Sequence, residues 1–286
     1  MRMTMTHASL FSGIGGFDLA AEWAGWTNSF NCEIDPLCRR ILKHHFPNAE
    51  QYGDIHTTDF TIWRGRVDVL TGGFPCQPFS LAGKRKGTED DRYLWPEMLR
   101  VIRTVRPRWV VGENVFGIVN WSEGVVFQQV CSDLEAAGYA VQPYIIPACG
   151  VGAPHRRDRC WFVAHRTDTG VETMQERQDG VPAAGNASDT DCERCQEFHS
   201  SAQPSQTQER ITQNSHAKRR IPDWNEFPTQ SPVCCRNDGI SGGLDGITFP
   251  KWRNMSIKAY GNAIVPQVAL QIFKTINEYE NQARKH

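Results

Sequence analysis

Cys76 stands between two prolines in Gly72-Gly73-Phe74-Pro75-Cys76-Gln77-Pro78-Phe79-Ser80, directly after the apolar run Val67 to Leu70. A cysteine kept only for packing belongs inside an apolar helix or strand, whereas flanking prolines and a Gly-Gly step hold this one in a stiff turn. A strand followed by a tight loop exposes the side chain at the carboxyl edge of a sheet, where a lowered pKa yields a nucleophilic thiolate. The second reactive group is Glu113, delivered at the end of another strand-like run, Arg108-Trp109-Val110-Val111-Gly112. With both groups at strand ends, one sheet edge can present nucleophile and acid together. A basic loop, Gly152-Ala153-Pro154-His155-Arg156-Arg157-Asp158-Arg159, precedes the apolar run Cys160 to Ala164 and supplies guanidinium forks that suit carbonyl and phosphate oxygens.

These groups need a scaffold, and the start of the chain shows it. Ala8-Ser9-Leu10-Phe11 reads as a short strand running into Ser12-Gly13-Ile14-Gly15-Gly16-Phe17-Asp18, and Leu19 to Trp26 reads as a helix. Glycines in such a loop let the backbone approach a ligand and leave helix N-terminal amides free for an anionic group. The dinucleotide fingerprint fails, because Asp18 occupies its third glycine position. A second strand, Thr27 to Cys32, ends at Glu33, where α/β nucleotide binders hold ribose hydroxyls. A helix from Pro36 to Phe46 follows, then Gly53-Asp54-Ile55. Strand-helix alternation through residue 147 predicts an α/β domain.

The Pro-Cys-Gln core with its trailing Pro-Phe-Ser resembles the nucleophile segment of the DNA (cytosine-5)-methyltransferases, and six other segments are similar to that family in the same chain order. Phe11-x-Gly13-x-Gly15-Gly16 resembles its cofactor loop, which adds Ile14; Glu33-Ile34 and Asp54-Ile55 its ribose and adenine contacts; Glu113-Asn114-Val115 its catalytic glutamate segment. Arg157 and Arg159 match the arginines of its Gln-x-Arg-x-Arg element, with His155 in place of the glutamine. Tyr260-Gly261-Asn262-Ala263-Ile264-Val265-Pro266 resembles the closing element that completes the cofactor pocket, before a helix from Val268 to about Tyr279. The resemblance implies a Rossmann-like S-adenosylmethionine-dependent methyltransferase fold, with a mixed, mainly parallel sheet and a small irregular target-recognition lobe. It implies that Cys76 adds to C6 of a cytosine swung out of duplex DNA, that Glu113 meets N3, and that Arg157 and Arg159 clamp the cytosine carbonyl and phosphates. Pro75, Leu94 and Asn262 join the implied cofactor contacts. Gln77, Ser80, Lys84, Arg85, Lys86 and Arg92 are the implied DNA contacts, the lysine-arginine cluster lying on a glycine-bounded segment that could close over the base. S-adenosyl-L-methionine would be consumed and S-adenosyl-L-homocysteine released.

Composition accommodates this reading. At 286 residues and 40 % hydrophobic content the chain can bury one full α/β core and spare residues for an inserted lobe. The expected organisation is a catalytic and cofactor-binding domain over 1–165, a variable target-recognition lobe over 166–255, rich in Gln, Ser, Thr, Asp and Arg, and a segment over 256–286 returning to the first domain. The net charge of −1 requires duplex affinity to come from local clusters, since it depends on where basic residues lie. Cys192-x-x-Cys195 and Cys234-Cys235, near His199 and His216, offer zinc ligands, but adjacent cysteines rarely chelate one ion, so no metal is expected. No signal peptide or membrane-length apolar run is apparent, and the expectation is a cytoplasmic monomer of a bacterial or phage-infected cell, with a cognate restriction endonuclease as an optional companion. Two alternatives stay open: an RNA (tRNA) cytosine-5 methyltransferase of the same fold, and a non-catalytic binder of S-adenosylmethionine and DNA.

Overall fold

The computed structural model describes residues 4–75, 93–167, 221 and 249–283. Its centre is a seven-stranded sheet in the order β3-β2-β1-β4-β5-β7-β6, formed by β1 (Thr6–Leu10), β2 (Thr27–Cys32), β3 (Glu50–Tyr52), β4 (Val69–Gly73), β5 (Trp109–Val115), β6 (Tyr139–Ile146) and β7 (Arg159–Arg166). The first five strands are parallel, and β7 runs antiparallel between β5 and β6. The helices are α1 (Gly16–Trp23), α2 (Pro36–His45), α3 (Trp95–Val105), α4 (Val125–Ala136), α5 (Phe249–Asn262) and α6 (Pro266–Ala283). This is the mixed, mainly parallel α/β sheet expected from the sequence.

Strands buried on both faces need near-continuous apolar sequence, and β4 and β5 supply it. Alternate residues feed two cores. Leu10, Phe30, Leu70, Val110 and Phe162 pack with Met98 and Ile102 of α3 and with Val130 and Leu134 of α4. On the opposite face Val69, Val111 and Trp161 pack with Phe17 and Ala20 of α1 and Leu270 and Phe273 of α6. The C-terminal helix is also anchored by polar bonds: buried Glu280 accepts from Trp109 Nε1 at 2.9 Å and pairs with Arg108.

The chain order reverses on either side of β1, with β2 on one flank and β4 on the other. Open α/β sheets bind ligands at such a switch point, outside the carboxyl ends of the strands. Here Leu10 aligns with Cys32 and Gly72, and Gly73 with Glu113, so the segments after β1, β2 and β4 and the end of β5 share one edge. Because β7 is antiparallel, its first residue, Arg159, lies at that edge too, opposite Val115.

Several boundaries differ from the sequence reading. β1 ends at Leu10, since Phe11 takes φ 52° and leaves the extended region. Helix α1 begins at Gly16, three residues early, and stops at Trp23, because Gly25 at φ 82° turns the chain and the Trp26 N–H closes back on the Ala21 carbonyl. Gly72 and Gly73 lie inside or at the end of β4 rather than in a turn. A Cβ on Gly72 would sit 3.0 Å from Met98 Sδ, and one on Gly73 3.3 Å from Glu113 Oε2, so these glycines provide close approach. Glu113 is within β5, which β7 pairing extends to Val115. Tyr260, Gly261 and Asn262 end α5, a helix that runs through residue 255, so the turn is confined to residues 263–265.

Candidate active site

The loop after β1 is shaped by left-handed residues Phe11, Gly13 (φ 55°) and Gly15 (φ 86°), conformations that glycine adopts at little cost. Beneath it lies a buried polar knot. Ser9 Oγ donates to Asp18 at 3.0 and 2.9 Å from the two carboxyl oxygens and lies 2.7 Å from Ser12 Oγ, which reaches the Cys32 carbonyl at 3.2 Å. Burial pushes the Asp18 carboxyl up to about 7 against the Ser9 bonds, and Glu22 adds to the rise. A Cβ on Gly16 would meet Ile264 Cγ1 at 2.6 Å, so the closing segment is seated on the glycine loop. Gly15 is equally tight against Phe46, whereas a Cβ on Gly13 would meet nothing within 4 Å.

Glu33 spans the gap between loop and second strand, its carboxylate accepting from the Gly13 N–H at 2.7 Å and the Asp35 N–H at 2.9 Å. Asp54, half-buried, accepts from the His56 N–H at 2.9 Å. Ile34, next to Glu33 in sequence, is 68 % exposed, an apolar side chain left open to solvent, while Ile55 is buried in the core and its carbonyl is held by Arg100. Ile14 is half-buried, Pro75 and Asn262 exposed. The donor set fits an adenosine-type cofactor: carboxylates for sugar and base polar edges, an exposed isoleucine for a ring face, and open space beside the Gly13 Cα.

Glu113 and Arg159 form the ion pair at the centre of the edge, Arg159 Nε lying 2.9 Å from Glu113 Oε1. Glu113 is only 8 % exposed and has the buried Trp161 as its cross-strand partner. Burial raises its carboxyl to about 7, with Arg159 and then Arg157 opposing the rise. A carboxyl in that range is protonated in a substantial fraction at neutral pH and can serve as a proton donor. Arg157, strained at φ 41°, donates through Nη2 to the Gly261 carbonyl at 2.8 Å and the Ala263 carbonyl at 2.7 Å. Its guanidinium therefore ties the basic loop to the closing element rather than standing free as a clamp. Burial, followed by the charge of Arg159, holds it below the usual arginine value, and Glu113 counters.

Two hydrogen bonds fix the chain leading to Cys76: one from Asn114, whose role escaped the sequence reading, and one between Leu94 and Pro75, both among the expected cofactor contacts. Asn114 Nδ2 donates to the Phe74 carbonyl at 2.9 Å, fixing the chain two residues before Cys76. The Leu94 N–H donates to the Pro75 carbonyl at 3.3 Å, so residues 75 and 94 meet. Asn114 lay inside a matched segment, but only the fold shows what it touches. Cys76, Gln77, Ser80, Lys84, Arg85, Lys86 and Arg92 lie outside the described residues, as do Cys192, Cys195, Cys234 and Cys235. Among the described residues no group of three His, Cys, Asp or Glu could hold a metal ion, and no helix is long and apolar enough to cross a membrane.

The family model for C-5 cytosine-specific DNA methylase matches residues 5–237. The chain belongs to the C-5 cytosine-specific DNA methylases. The chain is 38 % identical over 175 residues to the type II methyltransferase M.AquIA of Picosynechococcus sp., a match covering 55 % of this chain and 71 % of that protein. It is 37 % identical over 166 residues to the type II methyltransferase M.Eco47II of Escherichia coli, covering 57 % of this chain and 40 % of that one. The chain thus spans less than half the length of the second relative. The crystal structure of S. pombe Dnmt2 methyltransferase shares the fold, with a TM-score of 0.50 at 24 % identity, covering 58 % of this chain and 52 % of that chain.

Proposed function

We propose that this methylase transfers a methyl group from S-adenosyl-L-methionine to C5 of a cytosine extruded from duplex DNA, through a covalent bond between Cys76 Sγ and C6. The observation that carries the reading is the ion pair of buried Glu113 with half-buried Arg159 at the strand edge where β4 runs out to Pro75, one residue before Cys76. C5 of an aromatic pyrimidine is a poor nucleophile, and thiolate addition at C6 converts the ring to an enamine-like species with electron density at C5. Glu113 donates a hydrogen bond or proton at N3 as that charge develops, which its raised pKa permits. Arg159 orients the Glu113 carboxyl and offers its other N–H groups to the cytosine carbonyl. Arg157 acts through Gly261 and Ala263, holding the closing element against the loop.

Glu33, Ile34, Asp54, Leu94, Asn262 and the glycine loop would hold the cofactor, which when bound supplies an electrophilic methyl carbon and leaves as S-adenosyl-L-homocysteine, while Ile55, buried in the core, would support the site from beneath. Loss of the C5 proton to a base then returns electrons to the ring, breaks the Sγ–C6 bond and frees the thiolate. Extrusion is required because C6 cannot be reached inside a stacked duplex. Residues 166–255 are proposed as the base-reading lobe, and the type II names of the relatives favour a companion restriction endonuclease.

The test is transfer of label from the methyl donor to duplex DNA and, in parallel, to transfer RNA, followed by bisulfite sequencing of the modified DNA. Label in DNA at a recurrent sequence supports the reading; label confined to RNA, or binding without transfer, overturns it.

A further inference from the structure

One basic concentration lies on the flank of the sheet far from Glu113, beyond the residues expected to hold the cofactor, with Arg39 against Gly53. On the flank of α2, Arg39, Arg40 and Lys43 line, with Pro36 and Gln51, an open cleft of about 390 Å³ beside the outer strand β3. No carboxylate lines it. Arg39 Nε is buried without a hydrogen-bond partner, and among the described residues Arg40 and Lys43 enter no ion pair. Gln51 Nε2 donates to the Arg39 carbonyl at 2.7 Å, which fixes that amide at the cleft wall.

Residues 39 and 43 are neighbours on one helix face, and like charges at that spacing repel. Nothing in the chain's overall charge explains the concentration, since the net value is −1. Nor is the helix terminus the attraction, because the Asp35 side chain already accepts from the Leu37 and Cys38 N–H groups. What remains is a concave set of two guanidinium groups, one ammonium and one amide, with an internal N–H unmatched. Guanidinium forks and an ammonium complement the tetrahedral oxygens of phosphate.

We propose that this cleft is a phosphate-binding site separate from the methyl-transfer site, taking a phosphomonoester or phosphodiester. Four strand spacings separate β3 from β5, so the cleft lies roughly 19 Å across the sheet from Glu113 at about 4.8 Å per strand. That is the span of about 6 base pairs of duplex at about 3.4 Å each. A DNA backbone phosphate flanking the target and a free phosphate compound are the two sources of the same chemistry. The phosphate arm of the test is independent of the proposed methyl transfer; the duplex arm uses DNA binding alone, and retained label transfer by the variants separates failure of this site from failure of that reading.

The experiment compares the wild-type chain with Arg39→Gln/Arg40→Gln/Lys43→Gln and, at exposed positions only, with Arg40→Glu/Lys43→Glu. Thermal melts and S-adenosylhomocysteine binding establish that the variants are folded. Affinity for a 30-base-pair duplex is measured from 50 to 300 mM salt, and inorganic phosphate and pyrophosphate are titrated by calorimetry. If the site holds DNA, the log–log salt slope falls by about 1 to 2 in the variants, because each phosphate the protein neutralises contributes about 0.9 to it. If it holds a free phosphate compound, the slope is unchanged while saturable pyrophosphate binding to the wild type is lost in both variants. An unchanged slope together with pyrophosphate binding that is absent, or equal in all three proteins, overturns the proposal.

Discussion

Replacing Arg159 with Met removes the positive partner of Glu113 while keeping an unbranched, apolar stem. The pair is 2.9 Å apart between Nε and Oε1, with side chains 21 % and 11 % exposed. Unit charges about 4 Å apart at an effective dielectric of about 20 interact by about 4 kcal/mol, the equivalent of ~3 pH units. Partial solvent access to Arg159 and the remaining charge of Arg157 reduce that, so the Glu113 midpoint should rise by ~1–2 pH units from its wild-type position near 7. The assay is carbon-13 NMR titration of the Glu113 carboxyl in protein labelled at glutamate, which needs no turnover. Glu113→Gln identifies the resonance. A midpoint in Arg159→Met equal to or below that of the wild type would refute the electrostatic account of the site, because it would show that Arg159 does not stabilise the ionised carboxylate.

Other consequences reach stability and packing. Glu280→Ala leaves Trp109 Nε1 without its acceptor and Arg108 with Asp68 alone at 3.8 Å, and should cost about 2–3 kcal/mol in urea unfolding; a loss under about 0.5 would mean that the C-terminal helix is held by its apolar face alone. Gly16→Ala drives a Cβ into Ile264 and should cost about 1–3 kcal/mol, partly recovered when Ile264→Ala is added, a coupling read from a double-mutant cycle. The Asp18 carboxyl is raised to about 7 in the fold, so its contribution to stability is complete below its unfolded pKa near 4 and is lost as pH rises through 7. Wild-type stability at pH 5 should therefore exceed that at pH 8 by roughly 3 kcal/mol from this residue, and Asp18→Asn should lack that difference in denaturant titrations at the two pH values.

The parts legible in the sequence are those whose signal is local. Strand β2 and the start of α2 match expectation because Asp35 caps and Pro36 opens the helix, a pattern carried by adjacent residues. The glycine loop was visible from its spacing, and the position of Glu113 at a strand end pointed to the sheet edge on which the fold places it. What escaped depended on distant neighbours. Gly72-Gly73 looked like a turn because the sulfur of Met98 and the carboxyl of Glu113, which demand the missing side chains, come from other elements. Arg159 joins Glu113 through an antiparallel pairing of residues 44 to 56 apart in sequence, and Arg157 finds its acceptors more than 100 residues away. Each arginine was assigned to substrate by motif, whereas the fold gives the first a buried carboxylate and the second two carbonyls.

The central claim is that Cys76 forms a bond to an extruded cytosine, and its most direct measurement is covalent trapping on a duplex carrying 5-fluorocytosine at the target. Fluorine at C5 blocks the final elimination, so in the presence of S-adenosylmethionine a complex resistant to denaturation should form and mass spectrometry of its peptides should place the added nucleotide on Cys76. An adduct that persists in Cys76→Ser, or wild-type protein that methylates ordinary duplex but leaves the fluorinated one untrapped, would contradict the account.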